Sequence, residues 1–209
     1  VSTRMMGGLI MAHGDDRGLR VPPAVAPVEV VVLAVRDEGD VVDRCRALTD
    51  ELRAGGRRAR LDDRTELSMG RRATEWELKG VPVRLELGPR DLAEDRAVLA
   101  RRVEGDKQPV PLAGLVDAVG ESLADAQTSL LAEATTLRDQ RIAAVSSLDE
   151  AVEAASVGWA TLPWDLVGEA GEATLAQSAV TVRCLRREDG SLPDSEDEGG
   201  LVAYVGRSY

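Results

Sequence analysis

The sequence predicts an α/β protein, and three observations carry that prediction. VEVVVLAV at residues 28–35 is an almost continuous apolar run, as in a central parallel strand covered on both faces. A helix-spaced apolar stripe and then another strand-sized segment follow it, the order of a strand–helix–strand unit with a right-handed crossover. Near the end of the chain, VTVRCL (180–185) and LVAYV (201–205) again alternate with helical segments, so a second, smaller α/β unit is expected.

Each element has its own signal. The chain opens as the middle of a domain would, without an initiator Met. Arg4 is set among small and apolar residues (Ser2, Thr3, Met5, Met6, Gly7, Gly8), and a Gly-Asp-Asp-Arg-Gly turn leads on to Pro22-Pro23. A guanidinium among glycines suits close approach of backbone to an anionic ligand. A core strand and helix with one snorkelling arginine explains the segment equally well. After the first strand, Asp40 is placed to cap a helix in which Val41, Cys45, Leu48 and Leu52 share one face and Gly55-Gly56 ends the run. On that stripe Cys45 reads as core rather than as a nucleophile. Ala59 to Asp62 forms the next strand. A helix over 71–79 stops at Gly80 and Pro82. VRLELG (83–88) then alternates Val83, Leu85 and Leu87 inward with Arg84 and Glu86 outward, a half-buried strand. Residues 96–103 and 108–112 suit a strand pair.

From Leu115 a stripe of Val119, Leu123, Ala126, Leu130, Ala134 and Leu137 argues a helix of many turns, a connector packing on its own chain. A shorter helix over 148–157, a strand from Trp159 to Trp164 and a helix over about 165–176 complete the second unit. Between its last two strands, EDGSLPDSEDEGG has no apolar anchor but Leu192 and reads as solvated and mobile.

Composition narrows the function classes. The 209 residues suffice for one large or two small domains, and the longest apolar runs are strand-sized, so neither membrane insertion nor secretion is indicated. Two distant cysteines, Cys45 and Cys184, fit a reducing, cytoplasmic setting and form no metal motif. The net charge of −11 argues against nucleic acid, yet it is uneven: residues 51–90 hold ten Lys/Arg against seven Asp/Glu, whereas 91–209 hold ten against twenty-two. A local basic patch is what phosphate binding needs. With only two lysines, Lys79 and Lys107, the arginine content also fits a GC-rich coding sequence. There is no Phe, and the aromatics are Trp76, Trp159, Trp164, Tyr204 and Tyr209, too few for a platform of several stacked bases.

The most informative segment is EWELKGVPVRLELGPRD, residues 75–91. It places Glu77, Arg84, Glu86, Arg90 and Asp91 around one helix–strand–turn element. Carboxylates accept from guanine N1–H and N2–H or cytosine N4–H, while arginine forks onto guanine O6/N7 or phosphate. A surface ion-pair lattice, worth about 0–1 kcal/mol per pair, explains the same spacing, and the pattern alone favours it.

STRMMGGLIMAHGDDRGLRVPP, VAPVEVVVLAV, LDDR, EWELKGVPVRLELGPRD and the terminal tyrosine together resemble the prolyl-tRNA synthetases of archaeal/eukaryotic-like form, across essentially the whole chain. The resemblance implies four parts: residues 1–26 as the C-terminal edge of a class II catalytic domain (motif 3), 27–113 as an α/β anticodon-binding domain with a mixed sheet, 114–146 as a long connecting helix and 147–209 as a small α/β C-terminal domain. It implies a proline–tRNA ligase that activates proline with ATP, Mg being expected in the whole enzyme, and attaches it to tRNA(Pro). Arg4 then contacts ATP as the catalytic motif 3 arginine, with Ser2 beside it, and His13 is structural. Glu77, Arg84, Arg90 and Asp91 match positions that contact anticodon bases. Arg90 stands where some members have lysine, and Ala73 where some have a stacking Phe. Many members hold zinc through four cysteines near the C terminus; this chain has Cys184 alone there, so no zinc is expected. Tyr209 matches a terminal tyrosine that returns toward the catalytic domain. Motifs 1 and 2 lie outside the 209 residues, so the chain alone is expected to lack ATP–pyrophosphate exchange, and a homodimer through the upstream part is expected. The alternative is a non-catalytic tRNA-binding or regulatory module derived from an anticodon-binding domain.

Overall fold

The computed structural model describes residues 2–208; the expectation for Tyr209 lies outside them. The chain divides into two compact units, Val1–Ala134 and Thr135–Tyr209.

The first unit is built on a five-stranded sheet in the order β2-β1-β3-β4-β5, comprising β1 (Val30–Ala34), β2 (Ala59–Asp62), β3 (Val83–Leu87), β4 (Arg96–Arg101) and β5 (Lys107–Pro111). β1 pairs in parallel with both β2 and β3, and β4 and β5 add antiparallel. All five residues of β1 are buried, as its unbroken apolar run requires. Val30, Val32 and Ala34 face a core shared with Cys45, Leu48 and Leu52 of α2 (Val41–Ala54) and with Leu115, Val119 and Leu123 of α5 (Leu115–Gln140). Val31 and Leu33 face the opposite side, where α3 (Met69–Leu78) supplies Trp76. Two expectations change here. Asp40 occupies the N-cap of α2 but its side chain makes no capping bond. Glu86 is buried at 8% exposure rather than outward, because it shares the face of its β1 neighbour Leu33, which α3 covers with Trp76. The stripe of α5 is buried as far as Leu130, and Leu137 is exposed.

The opening segment forms α1 (Thr3–His13), a helix with no buried residue rather than a core element. The segment after it is stitched to the end of α3. The Leu19 N–H donates to the Leu78 carbonyl at 3.1 Å and the Val21 N–H to that of Gly80 at 3.2 Å. Gly18 and Gly80 allow the approach: both have positive φ, and a Cβ on either would stand under 3 Å from the opposing backbone.

The second unit carries a four-stranded sheet in the order β6-β7-β9-β8, with β6 (Ile142–Ala144), β7 (Trp159–Pro163), β8 (Val180–Arg186) and β9 (Val202–Arg207). One face packs Ala160, Leu162, Ala203 and Val205 against α6 (Leu148–Ala155) and α7 (Trp164–Ala176), and α7 is broken at Gly168. The β8–β9 loop, expected to be mobile, is gathered around Arg187. That guanidinium donates to Glu198 at 2.8 and 2.9 Å, to Asp194 at 3.1 Å and to the Leu192 carbonyl. The organising residue of the loop is thus a cation at the strand end, where no apolar pattern signals it.

Candidate nucleic-acid interface

The sheet order sets where a ligand can enter the first unit. From β1 the chain crosses to β2 on one side and returns to β3 on the other, so the connections after β1 and β3 diverge. Open α/β sheets bind ligands in the crevice at such a divergence, beyond the carboxyl ends of the strands. Here that crevice measures about 500 Å3 and is lined by Val35, Arg36, Glu38, Gly88, Arg90 and Asp91. Arg90 lies on α4 (Pro89–Ala93), is exposed, and pairs with no carboxylate among the described residues. Arg36, in the segment after β1, is likewise exposed and pairs with no carboxylate among the described residues. Asp91 is fixed: it accepts from the Gly88 N–H at 3.2 Å and faces Arg96 at 3.5 Å.

Glu77 and Arg84 line a different hollow, of about 130 Å3, together with Arg17, Trp76, Arg101 and Lys107. Arg84 leans on Glu86 at 2.9 Å, and Glu86 also accepts from Lys107 at 2.9 and 3.1 Å. Glu77 faces Arg17 at 3.4 Å. The ion-pair lattice that the spacing allowed is therefore present at this cluster, and RNA bases here would have to exchange partners with it. Ala73 offers its carbonyl to Arg84 at 3.5 Å, and Trp76 is 5% exposed with its indole N–H on Asp62 at 2.6 Å, so neither supplies a stacking face.

Ser2 and Arg4 line neither hollow. Ser2 is the N-cap of α1 without a side-chain cap bond, and Arg4 is exposed on the first turn. His13 gives its backbone carbonyl to Arg20 at 3.0 Å. The Gly-Asp-Asp-Arg-Gly turn is anchored by Asp15, which accepts from the nearly buried Arg102 at 2.5 and 3.0 Å; those bonds hold its carboxyl at about 2. Arg17 of the same turn is the partner of Glu77, so the turn and one candidate base reader are tied together.

Sequence reasoning missed Arg36, Arg17 and Arg102. The first had a usable signal: it directly follows the most apolar strand of the chain. Among the described residues no group of three or more His, Cys, Asp or Glu is arranged to hold a metal ion. Cys45 is buried in the first unit and Cys184 half-buried in the second. Among the described residues no helix is long and apolar enough to cross a membrane.

Residues 29–122 match the family model described as an anticodon binding domain. The whole chain is 51% identical to proline–tRNA ligase 2 of Streptomyces avermitilis and 52% identical to proline–tRNA ligase of Frankia casuarinae, covering 44% and 45% of those proteins. It also superimposes on a prolyl-tRNA synthetase from Cryptosporidium parvum, solved with L-proline and AMP, with a TM-score of 0.82 and 26% identity over 99% of this chain and 46% of that one. The chain thus spans a little under half the length of the relatives it matches. Along its whole length the chain is thus similar to a C-terminal part of proline–tRNA ligases, and its residues 29–122 match the anticodon-binding domain.

Proposed function

We infer that the protein to which this chain contributes activates proline with ATP and attaches it to tRNA(Pro), this part supplying the motif 3 arginine and anticodon recognition. A match to proline–tRNA ligases over the whole of this chain supports the reading, and the crevice at the ends of β1 and β3 gives it a chemical basis. Arg90 presents a planar fork suited to guanine O6/N7 or to phosphate, exposed and with no carboxylate in ion-pair distance among the described residues. Asp91, positioned by Gly88 and Arg96, offers an acceptor for an amino or imino N–H beside it. Glu77 and Arg84 form a second group of readers, engaged with Arg17 and Glu86 until bases displace those partners. Arg4, with Ser2 beside it, faces the phosphates of ATP in the whole enzyme, where a permanently charged fork stabilises charge that develops during adenylate formation. The division at residues 26, 113 and 146 belongs to the same reading, as do a homodimeric whole enzyme and a cytoplasmic setting.

The test is Arg90→Ala in the 209-residue chain, with tRNA(Pro) and an unrelated tRNA compared by anisotropy. Loss of a bidentate base contact, worth about 1–3 kcal/mol, weakens tRNA(Pro) by roughly tenfold and the unrelated tRNA much less. Equal affinity of wild type and variant for tRNA(Pro) would overturn the anticodon assignment.

A further inference from the structure

The second unit is acidic, yet its arginines are gathered on one side of it. Residues 135–209 hold thirteen Asp/Glu, six Arg and no Lys. Five of those arginines, Arg138, Arg141, Arg183, Arg186 and Arg207, line two adjoining grooves of about 590 and 810 Å3 that share Arg141 and Trp159. The sixth, Arg187, is engaged by Glu198 and Asp194 in the loop. Among the described residues Asp139 is the one acid lining either groove, and it pairs with Arg138 at 2.7 Å. Arg141, Arg183, Arg186 and Arg207 face no carboxylate within ion-pair distance among the described residues. Arg183 and Arg186 each place one N–H on a backbone carbonyl, of Arg207 at 2.8 Å and Gly190 at 3.3 Å, which orients the forks and leaves their other donors available.

The same side holds two of the chain's five aromatic residues. α6 and α7 cover only the face bearing Ala160, Leu162, Ala203 and Val205, so Trp159, Thr161, Tyr204 and Gly206 point to the other face by strand alternation. Trp159 is 43% exposed, and its ring lies against Gly206, where a Cβ would come within 3.3 Å of it. The pairs Trp159↔Gly206 and Thr161↔Tyr204 make Trp159 and Tyr204 diagonal neighbours, and Arg186 lies 5.7 Å from the Tyr204 ring. Aromatic faces flanked by unpaired guanidiniums match the two parts of a nucleotide, a stackable base and a phosphate. An acidic protein segment would use the arginines but have no use for an exposed indole laid on a glycine.

We propose that the open face of the β6-β7-β9-β8 sheet binds single-stranded RNA, with bases stacking on Trp159 and Tyr204 and phosphates held by Arg141, Arg183 and Arg186. This surface shares no residue with the Arg36–Arg90 crevice, so it stands or falls apart from the anticodon assignment.

The experiment uses the 209-residue chain and a fluorescein-labelled oligouridine of about twelve nucleotides, read by anisotropy over a salt series. The double charge reversal Arg141→Glu/Arg183→Glu is expected to weaken binding at least about tenfold and to flatten the salt dependence. Trp159→Leu, its fold checked by circular dichroism, is expected to weaken binding about fivefold or more, while Arg90→Ala changes it less than about twofold. Should Trp159→Leu fail to fold, photo-crosslinking of a bromouridine oligonucleotide to wild-type chain replaces it, with crosslinks expected at Trp159 or Tyr204. The proposal is overturned if the charge reversal leaves affinity unchanged, or if Arg90→Ala alone abolishes binding. Crosslinks confined to the first unit would also overturn it, as would an acidic peptide displacing the RNA with Trp159→Leu having no effect, which would mark a protein-docking face.

Discussion

Asp62→Asn tests whether charge holds together the polar cluster beneath β1 and β2. The Asp62 side chain is 1% exposed and accepts from Arg64 at 2.6 Å and from the Trp76 indole at 2.6 Å, with the fully buried Arg72 at 3.5 Å. Arg72 in turn donates to the carbonyls of Ala34 and Asp62, clamping the ends of two parallel strands beside the crevice. Burial pushes the Asp62 carboxyl up, but the bonds from Arg64 and Trp76 outweigh it and bring it from 3.8 to about 2. Because the folded value lies below the unfolded one, the stabilisation is fully present above about pH 4 and is lost as pH falls through 2. At 1.36 kcal/mol per pH unit, this amounts to about 2.5 kcal/mol at neutral pH. The variant also leaves Arg72 without its counter-charge, and breaking a buried pair costs about 3–5 kcal/mol. The expected loss near pH 7 is therefore about 2.5–5 kcal/mol. Urea unfolding, followed by the Trp76 indole N–H resonance, measures it for wild type and variant at about pH 7 and pH 2.5. At about pH 2.5 the carboxyl is protonated in the unfolded chain while most of it stays ionised in the folded one, so the difference should narrow by roughly 1.5 kcal/mol. An unchanged midpoint at neutral pH, or a difference independent of pH, would refute the reasoning.

Two further outcomes follow from packing. Burial raises the Cys45 thiol to about 12, and Cys184 is half-buried, so brief thiol labelling of the native chain near pH 8 should modify Cys184 alone; equal labelling rates would contradict the buried stripe of α2. Gly80→Ala should lower the stability measured by urea unfolding by at least about 2 kcal/mol, because its φ of +72° disfavours a side chain and the new Cβ would meet Leu19 at 2.6 Å. A neutral outcome would mean that the segment after α1 is not bound tightly to the end of α3.

Most of the architecture was legible because its signals are local. The unbroken apolar run of β1, the stripe of α2 and the glycines after it specify their elements without knowledge of their neighbours. β6 and α4 escaped notice, since a three-residue strand and a five-residue helix carry too little pattern. The outward reading of Glu86 failed for a related reason: alternation tells which residues share a face, but not whether that face is covered.

The candidate site divides in the same way. The sequence by itself determined the family resemblance, the candidate readers Glu77, Arg84, Arg90 and Asp91, and the α/β class, because these rest on residue types at short spacing. Only the tertiary structure decided which of those side chains are engaged and which are available. Glu77 and Arg84 are held by Arg17 and Glu86, while Arg90 joins Arg36 from the segment after β1, more than fifty residues earlier. The gathering of arginines around Trp159 and Tyr204 likewise depends on strand pairing between distant segments. Charge availability is a property of partners brought together in space, and partners separated along the chain leave no local pattern to read.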